Sequence, residues 1–305
     1  MTQLDIDRDI ARRDREPGAG VFDFSARLSD RWAVGRFLKA PSATIATAIL
    51  AVVVLVAVMG PILRPGDPLL ITGDPLIRPL VDWAHPLGTD VLGRDLLSGV
   101  LHGARVSLLV GLSVAFISLV AGVLIGAVAG YAGGRIDWVV TRGIEIFQTI
   151  PGFVLLVVLV SVLEPSATTV IIGLSLISWD AVARLTRAEV LSHRSREYVL
   201  AAEASGFTGP RILFGEILPN IAPTLIVTAS IIVASAILSE SALSFLGLGD
   251  PNAASWGSMI GAGREQIRSY WFPTVIPGAF IVVTVFALNV LGDALNDFLN
   301  PRSHG

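Results

Sequence analysis

Six predominantly apolar stretches, at 42–63, 106–130, 140–163, 167–187, 221–247 and 272–297, alternate with segments richer in charge, glycine and proline. About 20 mostly apolar residues are needed to cross ~30 Å of hydrocarbon, so each stretch is long enough for one span. In lipid every backbone N–H and C=O must be satisfied within the protein, and the chain lacks the ~10-residue alternating segments of a barrel. The pattern therefore predicts an all-α integral membrane protein with six transmembrane helices. It divides into a tail at 1–41, a first span at 42–63, an outer segment at 64–105 and a core at 106–298 with a loop at 188–219. A short tail follows at 299–305. Pro151 inside the third stretch, and Pro273 and Pro277 at the start of the sixth, should kink or cap helices. No internal repeat is visible, which argues against a fold of inverted halves.

Six spans put both termini on one side. That side collects the eight basic residues of the first forty, Arg135 and Arg142, Arg184, Arg187, Arg194, Arg196 and Arg211 in the long loop, and Arg302, making sixteen of the twenty-two. The other side has Arg64, Arg78, Arg94, Arg105, Arg264 and Arg268. The positive-inside rule then places both termini and the 188–219 loop in the cytoplasm. The first forty residues also carry seven acidic side chains and no short apolar core with a cleavage site, so they read as a polar tail and not a signal peptide.

Composition agrees and removes several chemistries. Hydrophobic residues make up 53% and charged ones 15%, with a mean hydropathy of +0.71. Lys39 is the only lysine and follows no glycine loop, so a GxxxxGK[ST] phosphate loop is excluded. With no cysteine there is no thiol catalysis, disulfide or thiolate metal site.

Within the inner loop, EYVLAAEASGFTGPRILFGEILPN (Glu197 to Asn220) predicts two short helices with a bend between them. Ser195 is placed to cap the first, Glu197 sits favourably in its first turn, and Gly206 is placed to end it. Phe207 then lies at an exposed tip, Thr208 or Gly209 caps the second helix, Pro210 occupies its first turn, and Pro219 breaks it before the fifth span. Such a knuckle can rest on the inner leaflet as an amphipathic element or dock in a partner's groove.

The same stretch resembles the cytoplasmic EAA loop of permease subunits of ABC importers: two alanines (Ala201, Ala202), three residues, Gly206, and an ending in Leu218 and Pro219. Leu200 stands where that pattern has glutamate, Glu203 follows the alanines, and Glu216 occupies the usual isoleucine position. HPLGTDVLGRDLLSGVLHGARVSLLVGL (85–112), SESALSFLGLGDPNAASWGSMI (239–260) and NVLGDALNDFLNPR at the end are similar to the C-type permease of dipeptide and oligopeptide importers. The resemblance covers 85–302 and leaves out the N-terminal forty residues. It implies the type I ABC importer permease fold with cytoplasmic coupling helices, in the bacterial plasma membrane. The implied partners are a second homologous permease, two ATP-binding subunits that carry ATP and Mg, an extracytoplasmic substrate-binding protein and membrane lipid, with no nucleic acid and no cofactor in this chain. ATPase coupling would then fall to Glu197, Ala201, Ala202, Glu203, Ser205, Gly206, Phe207, Pro210, Leu218 and Pro219.

Thr224, Thr228, Ser235 and Ser239 fall at spacings of four, seven and four, on one face of the fifth span. Small hydroxyls there serve either close helix packing or a water-filled path. With Gln148 and Glu240, the residues Thr228, Ser235 and Ser239 form the candidate passage set. Ionisable groups at membrane depth are costly and so draw attention: Glu145 near Gln148, Asp180 four residues from Arg184 and able to pair with it, Glu240, and Asp293 at the inner end of the last span. In the outer segment Thr89 or Asp90 is placed to cap a short amphipathic surface helix, which the resemblance puts near the docking site of a substrate-binding protein.

Enzymatic readings fail on missing parts. GLGD (247–250) matches a GxGD of intramembrane aspartyl proteases, but no Tyr-Asp pair supplies the second aspartate, and neither GxSxG nor HExxH occurs. A stand-alone secondary transporter using Glu145 or Glu240 for protons, or an importer of nickel or another small solute, stays open beside the peptide importer.

Overall fold

The structure, a computed structural model, describes residues 41–299. The two tails read from the sequence lie essentially outside those residues. Five helices are long and apolar enough to span: α1 Pro41–Leu63, α2 Leu96–Ala132, α5 Ala167–Arg194, α8 Leu218–Phe245 with its N-terminal extension, and α10 Phe272–Leu299. The third apolar stretch forms a bent pair, α3 Gly134–Phe147 and α4 Gly152–Val162, so the spans number six when the pair is taken as one. The remaining helices are α6 Glu197–Ala204, α7 Gly209–Ile212 and α9 Trp256–Gly263.

The bend between α3 and α4 is 72°, sharper than a kink within one straight helix. Pro151 is its cause, lacking the N–H and taking an extended conformation as the residue before α4. Two contacts to α5 pin the bend: the Gln148 side-chain amide donates to Asp180, and Phe147 packs at 5.9 Å between ring centroids on Trp179. The pairing expected of Asp180 with Arg184 is thus replaced. The bend carries Gln148 to the buried carboxylate, while Arg184 is exposed.

The outer segment also departs from expectation. No surface helix begins at Thr89 or Asp90. Asp95 is the cap, its Oδ2 accepting from the Ser98 N–H at 3.1 Å, and α2 runs unbroken from there into the second span. Thr89 is fully buried and staples the loop instead, donating to the Asp74 carbonyl at 2.6 Å and accepting from the Ile77 N–H at 2.9 Å. Asp90 makes a turn, accepting from the N–H groups of Leu92 and Arg94.

The most extensive helix pair is α2 with α5, and glycine explains its closeness. Gly122, Gly126 and Gly130 recur every fourth residue on α2, and a Cβ at Gly122 would stand 2.5 Å from Val182 Cβ. Toward the C-terminal end of α5, Arg187 grips Asp137 on α3 with two hydrogen bonds. The main core lies between α1, α2, α4, α5, α8, α10 and Trp256, whose indole is fully buried and donates to the Val100 carbonyl at 3.0 Å. A second, smaller core lies around the 188–219 loop.

Candidate functional site

That second core belongs to the knuckle. Val199 and Ala202 on α6, Ile212 on α7, and Leu213, Ile217 and Ile221 beyond it close on Ala127 of α2 and Val190 of α5. Ser195 does not cap α6 as expected; it ends α5, and Arg196 precedes α6 with no side-chain cap bond. The compact turn leaves Ser195 still within the outgoing helix's last bonds. Tyr198 ties the two helices instead, its hydroxyl 2.7 Å from His193 Nδ1, and burial pushes its phenol above the usual value.

Gly206 ends α6 with φ +80°, and the Phe207 N–H reaches back to the Ala202 carbonyl while the Gly206 N–H reaches Glu203. This is a Schellman cap, which favours a residue without Cβ at the left-handed position. Ser205 donates its hydroxyl to the Ala201 carbonyl at 2.8 Å. Phe207 is not the free tip predicted for it. Its ring is half-buried against the small core, with the Arg211 guanidinium 4.0 Å from its centroid. The apolar groups left outside are Leu200 and Phe214, 53% and 56% exposed, flanked by exposed Glu197, Ala201, Glu203 and Pro210.

Pro219 does not separate the knuckle from the fifth span. A π-turn at Leu213–Ile217 intervenes, in which the Leu218 N–H bonds the Leu213 carbonyl five residues back, and Pro219 sits in the first turn of α8. The wider turn absorbs the hydrogen bond that proline cannot make and gives its ring room. From Gly209 to Phe245 the chain is therefore one helical rod, 37 residues long. Leu218 is half-buried on the small core.

Along that rod Thr224, Thr228 and Ser239 are half-buried and Ser235 is exposed, so among the described residues the hydroxyl stripe is only partly covered. Thr228 donates to the Thr224 carbonyl at 2.8 Å. Glu240 departs from this set: 4% exposed, it points inward, where its Oε1 accepts from Ser244 and Ser255, each at 2.7 Å. Ser255 is the cap of α9, so this carboxyl fastens the outer helix to the fifth span. Replacing Glu240 by leucine should leave those hydroxyls without their acceptor and cost about 1–3 kcal/mol, whereas glutamine, which keeps an acceptor oxygen, should retain most of the stability. Thermal unfolding of the purified complex checks this, and equal midpoints for leucine and wild type would remove the fastening role.

Glu145 and Asp250 have structural partners, whereas Asp293 lies on the surface. Glu145 pairs with Arg142 at 2.6 Å on an exposed surface. Asp250 of the GLGD stretch accepts from the Ala167 N–H at 3.0 Å, supplementing the Ser166 cap of α5. A cavity of about 180 Å³ lies on the outer side among Asp90, Arg94, Asp95 and Asp250, and no hydroxyl of the stripe lines it.

Comparison with known proteins shows the family of the chain. Residues 122–305 match the family described as binding-protein-dependent transport system inner membrane component. The chain is 39% identical over 260 residues to a di/tripeptide transport system permease protein DppC of Pseudomonas aeruginosa (strain UCBPP-PA14), covering 83% of this chain and 86% of the relative. It is 40% identical over 257 residues to the dipeptide transport system permease protein DppC of Bacillus subtilis (strain 168), covering 83% and 80%. Against the oligopeptide transport system permease protein OppC of the same Bacillus strain it is 35% identical over 298 residues, covering 94% and 96%. At that coverage the similarity enters the first forty residues, which the motifs had left out. With six apolar helical spans when the bent pair is taken as one, a capped knuckle continuous with the fifth span, and these matches, the chain belongs to the family of inner membrane components of binding-protein-dependent transport systems, in its dipeptide and oligopeptide permease branch.

Proposed function

We propose that this chain forms half of the passage of an ATP-driven importer of dipeptides or oligopeptides and couples that passage to separate ATP-hydrolysing subunits. The observation that carries the reading is the rod from Gly209 to Phe245: one stiff element has the knuckle at its inner end and the hydroxyl stripe along its length. Closure of two ATPases around ATP and Mg would move the knuckle as a rigid body, gripped at exposed Leu200, Ala201 and Phe214, and the rod would carry that displacement to the stripe. A second homologous permease covers Thr228, Ser235 and Ser239 and completes the wall. Hydroxyls with little fixed charge suit peptides, which bring amides and end charges of both signs and must be released as readily as admitted.

In this reading the knuckle and both termini face the cytoplasm, and a substrate-binding protein docks on the opposite face near the 64–95 segment. Charge placement supports that orientation, and the relatives' names, all peptide permeases, support the substrate class. Copurifying the chain with its natural partners and measuring ATPase stimulation by a panel of loaded binding proteins tests both points. Stimulation by peptide-loaded proteins is expected. Uptake that persists without ATP and collapses with the proton gradient would overturn the proposal.

A further inference from the structure

We propose that the loop around Leu80, Val81 and Trp83 is an interfacial anchor that seats the outer segment on the lipid surface beside the outer end of α10. Its height in the membrane is fixed by Phe272, the first residue of α10 and 2% exposed. A Cβ at Gly88 would meet Phe272 Cε2 at 3.2 Å, so loop and helix end are in close contact, and the buried Thr89 ties Ile77, three residues before Leu80, to the same place. Phe272 opens an apolar span and is flanked by Tyr270 and Trp271, whose rings meet it edge-on at 6.2 Å. Trp and Tyr gather at the level where hydrocarbon gives way to headgroups. The loop therefore leaves the protein at that level.

From there it projects Leu80, Val81 and Trp83, which are 75%, 71% and 83% exposed. Its polar groups are bonded within the loop, with the Asp82 carboxylate accepting from the Ala84 N–H and the Leu80 N–H donating to the Pro86 carbonyl. Leu80 itself has φ +65°, a left-handed conformation uncommon for a residue with a Cβ. Strained backbone persists where the surroundings enforce it and concentrates where it serves a purpose; of the two non-glycine residues with positive φ among the described residues, Leu76 at +59° lies in the same loop and Leu80 is one of the three that present apolar surface. Lipid is the occupant that fits. The loop meets the first residue of a membrane-spanning helix, a tryptophan ring is suited to an interface that is apolar on one side and wet on the other, and the exposed Arg78 beside it can reach headgroup phosphates.

The chain contains no cysteine, so Val81→Cys and Asp74→Cys each create a single site for a nitroxide label. The full transporter, with cysteine-free partner subunits, is reconstituted in palmitoyl-oleoyl phosphatidylcholine vesicles, and collisions of each label with oxygen and with a water-soluble nickel chelate are compared. The label at 81 is expected to favour oxygen, with or without binding protein present, and the label at 74 to favour nickel. Adding Trp83→Ser should lower the oxygen preference at 81. Equal nickel access at the two positions would overturn the proposal, as would protection of position 81 that appears only when a substrate-binding protein is added.

Discussion

Replacing Gly206 by valine is expected to sever ATP hydrolysis from solute movement while leaving the spans folded. The residue has φ +80° and no atom lies within 4 Å of a Cβ built there, so the substitution meets no neighbour and acts on the backbone alone. An L residue in the left-handed region costs about 1–2 kcal/mol, and a β-branched one is a strong outlier there. Relief comes by opening the Schellman cap, which loses the Phe207-to-Ala202 and Gly206-to-Glu203 bonds and lets α6 swing relative to α7. The small core of Val199, Ala202, Ile212, Leu213 and Ile217 has little reserve, and one or two kcal/mol shifts a local equilibrium by roughly 5- to 30-fold. Gly206→Asn is the matched control, because asparagine enters the left-handed region several-fold more readily than other residues with a Cβ. ATPase rate and peptide uptake in proteoliposomes should therefore separate in the valine variant and stay linked in the asparagine variant. If both variants behave alike, the left-handed turn is not what holds the knuckle in working shape.

Gly206 was legible because a single rule governs it: only one residue type takes φ +80° without penalty, and it stood at the end of a helical run. The apolar runs were legible for a similar reason, since lipid allows few alternatives to helix. Pro219 was misread by a rule that is right locally. Proline does remove an i→i−4 bond, but the π-turn at Leu213–Ile217 supplies a five-residue bond in its place, and no side-chain pattern announces that. Asp180 was misassigned because spacing along one helix sees only that helix, whereas its partner Gln148 arrives from a bend thirty-two residues away. Glu240 could have been separated from the stripe on spacing alone: one residue after Ser239 is a rotation of about 100°, which turns it off the hydroxyl face. Gly122, Gly126 and Gly130 were equally readable, as glycine at every fourth position of an apolar helix signals close packing.

Those glycines give the second large effect. At Gly126 a Cβ would lie 2.3 Å from the Ala183 carbonyl oxygen and 2.9 Å from Thr186 Cβ, so even alanine forces α2 and α5 apart, and a backbone carbonyl cannot swing aside as a side chain can. Overpacking of this kind costs about 1–3 kcal/mol and sometimes more. Gly143→Ala is the control, since nothing lies within 4 Å of a Cβ there. Gly126→Ala should lower the unfolding midpoint of the purified complex and its yield in membranes, and Gly143→Ala, which only exchanges glycine for a better helix former on an exposed face, should lower neither. The consequence reaches the knuckle too, because Ala127 and Val190, which floor its small core, sit on the same two helices. Stability and coupling should thus fall together in Gly126→Ala, in contrast to Gly206→Val, where coupling falls and the spans hold. An unchanged midpoint for Gly126→Ala would mean that α2 and α5 are not in the close contact on which the seating of the knuckle depends.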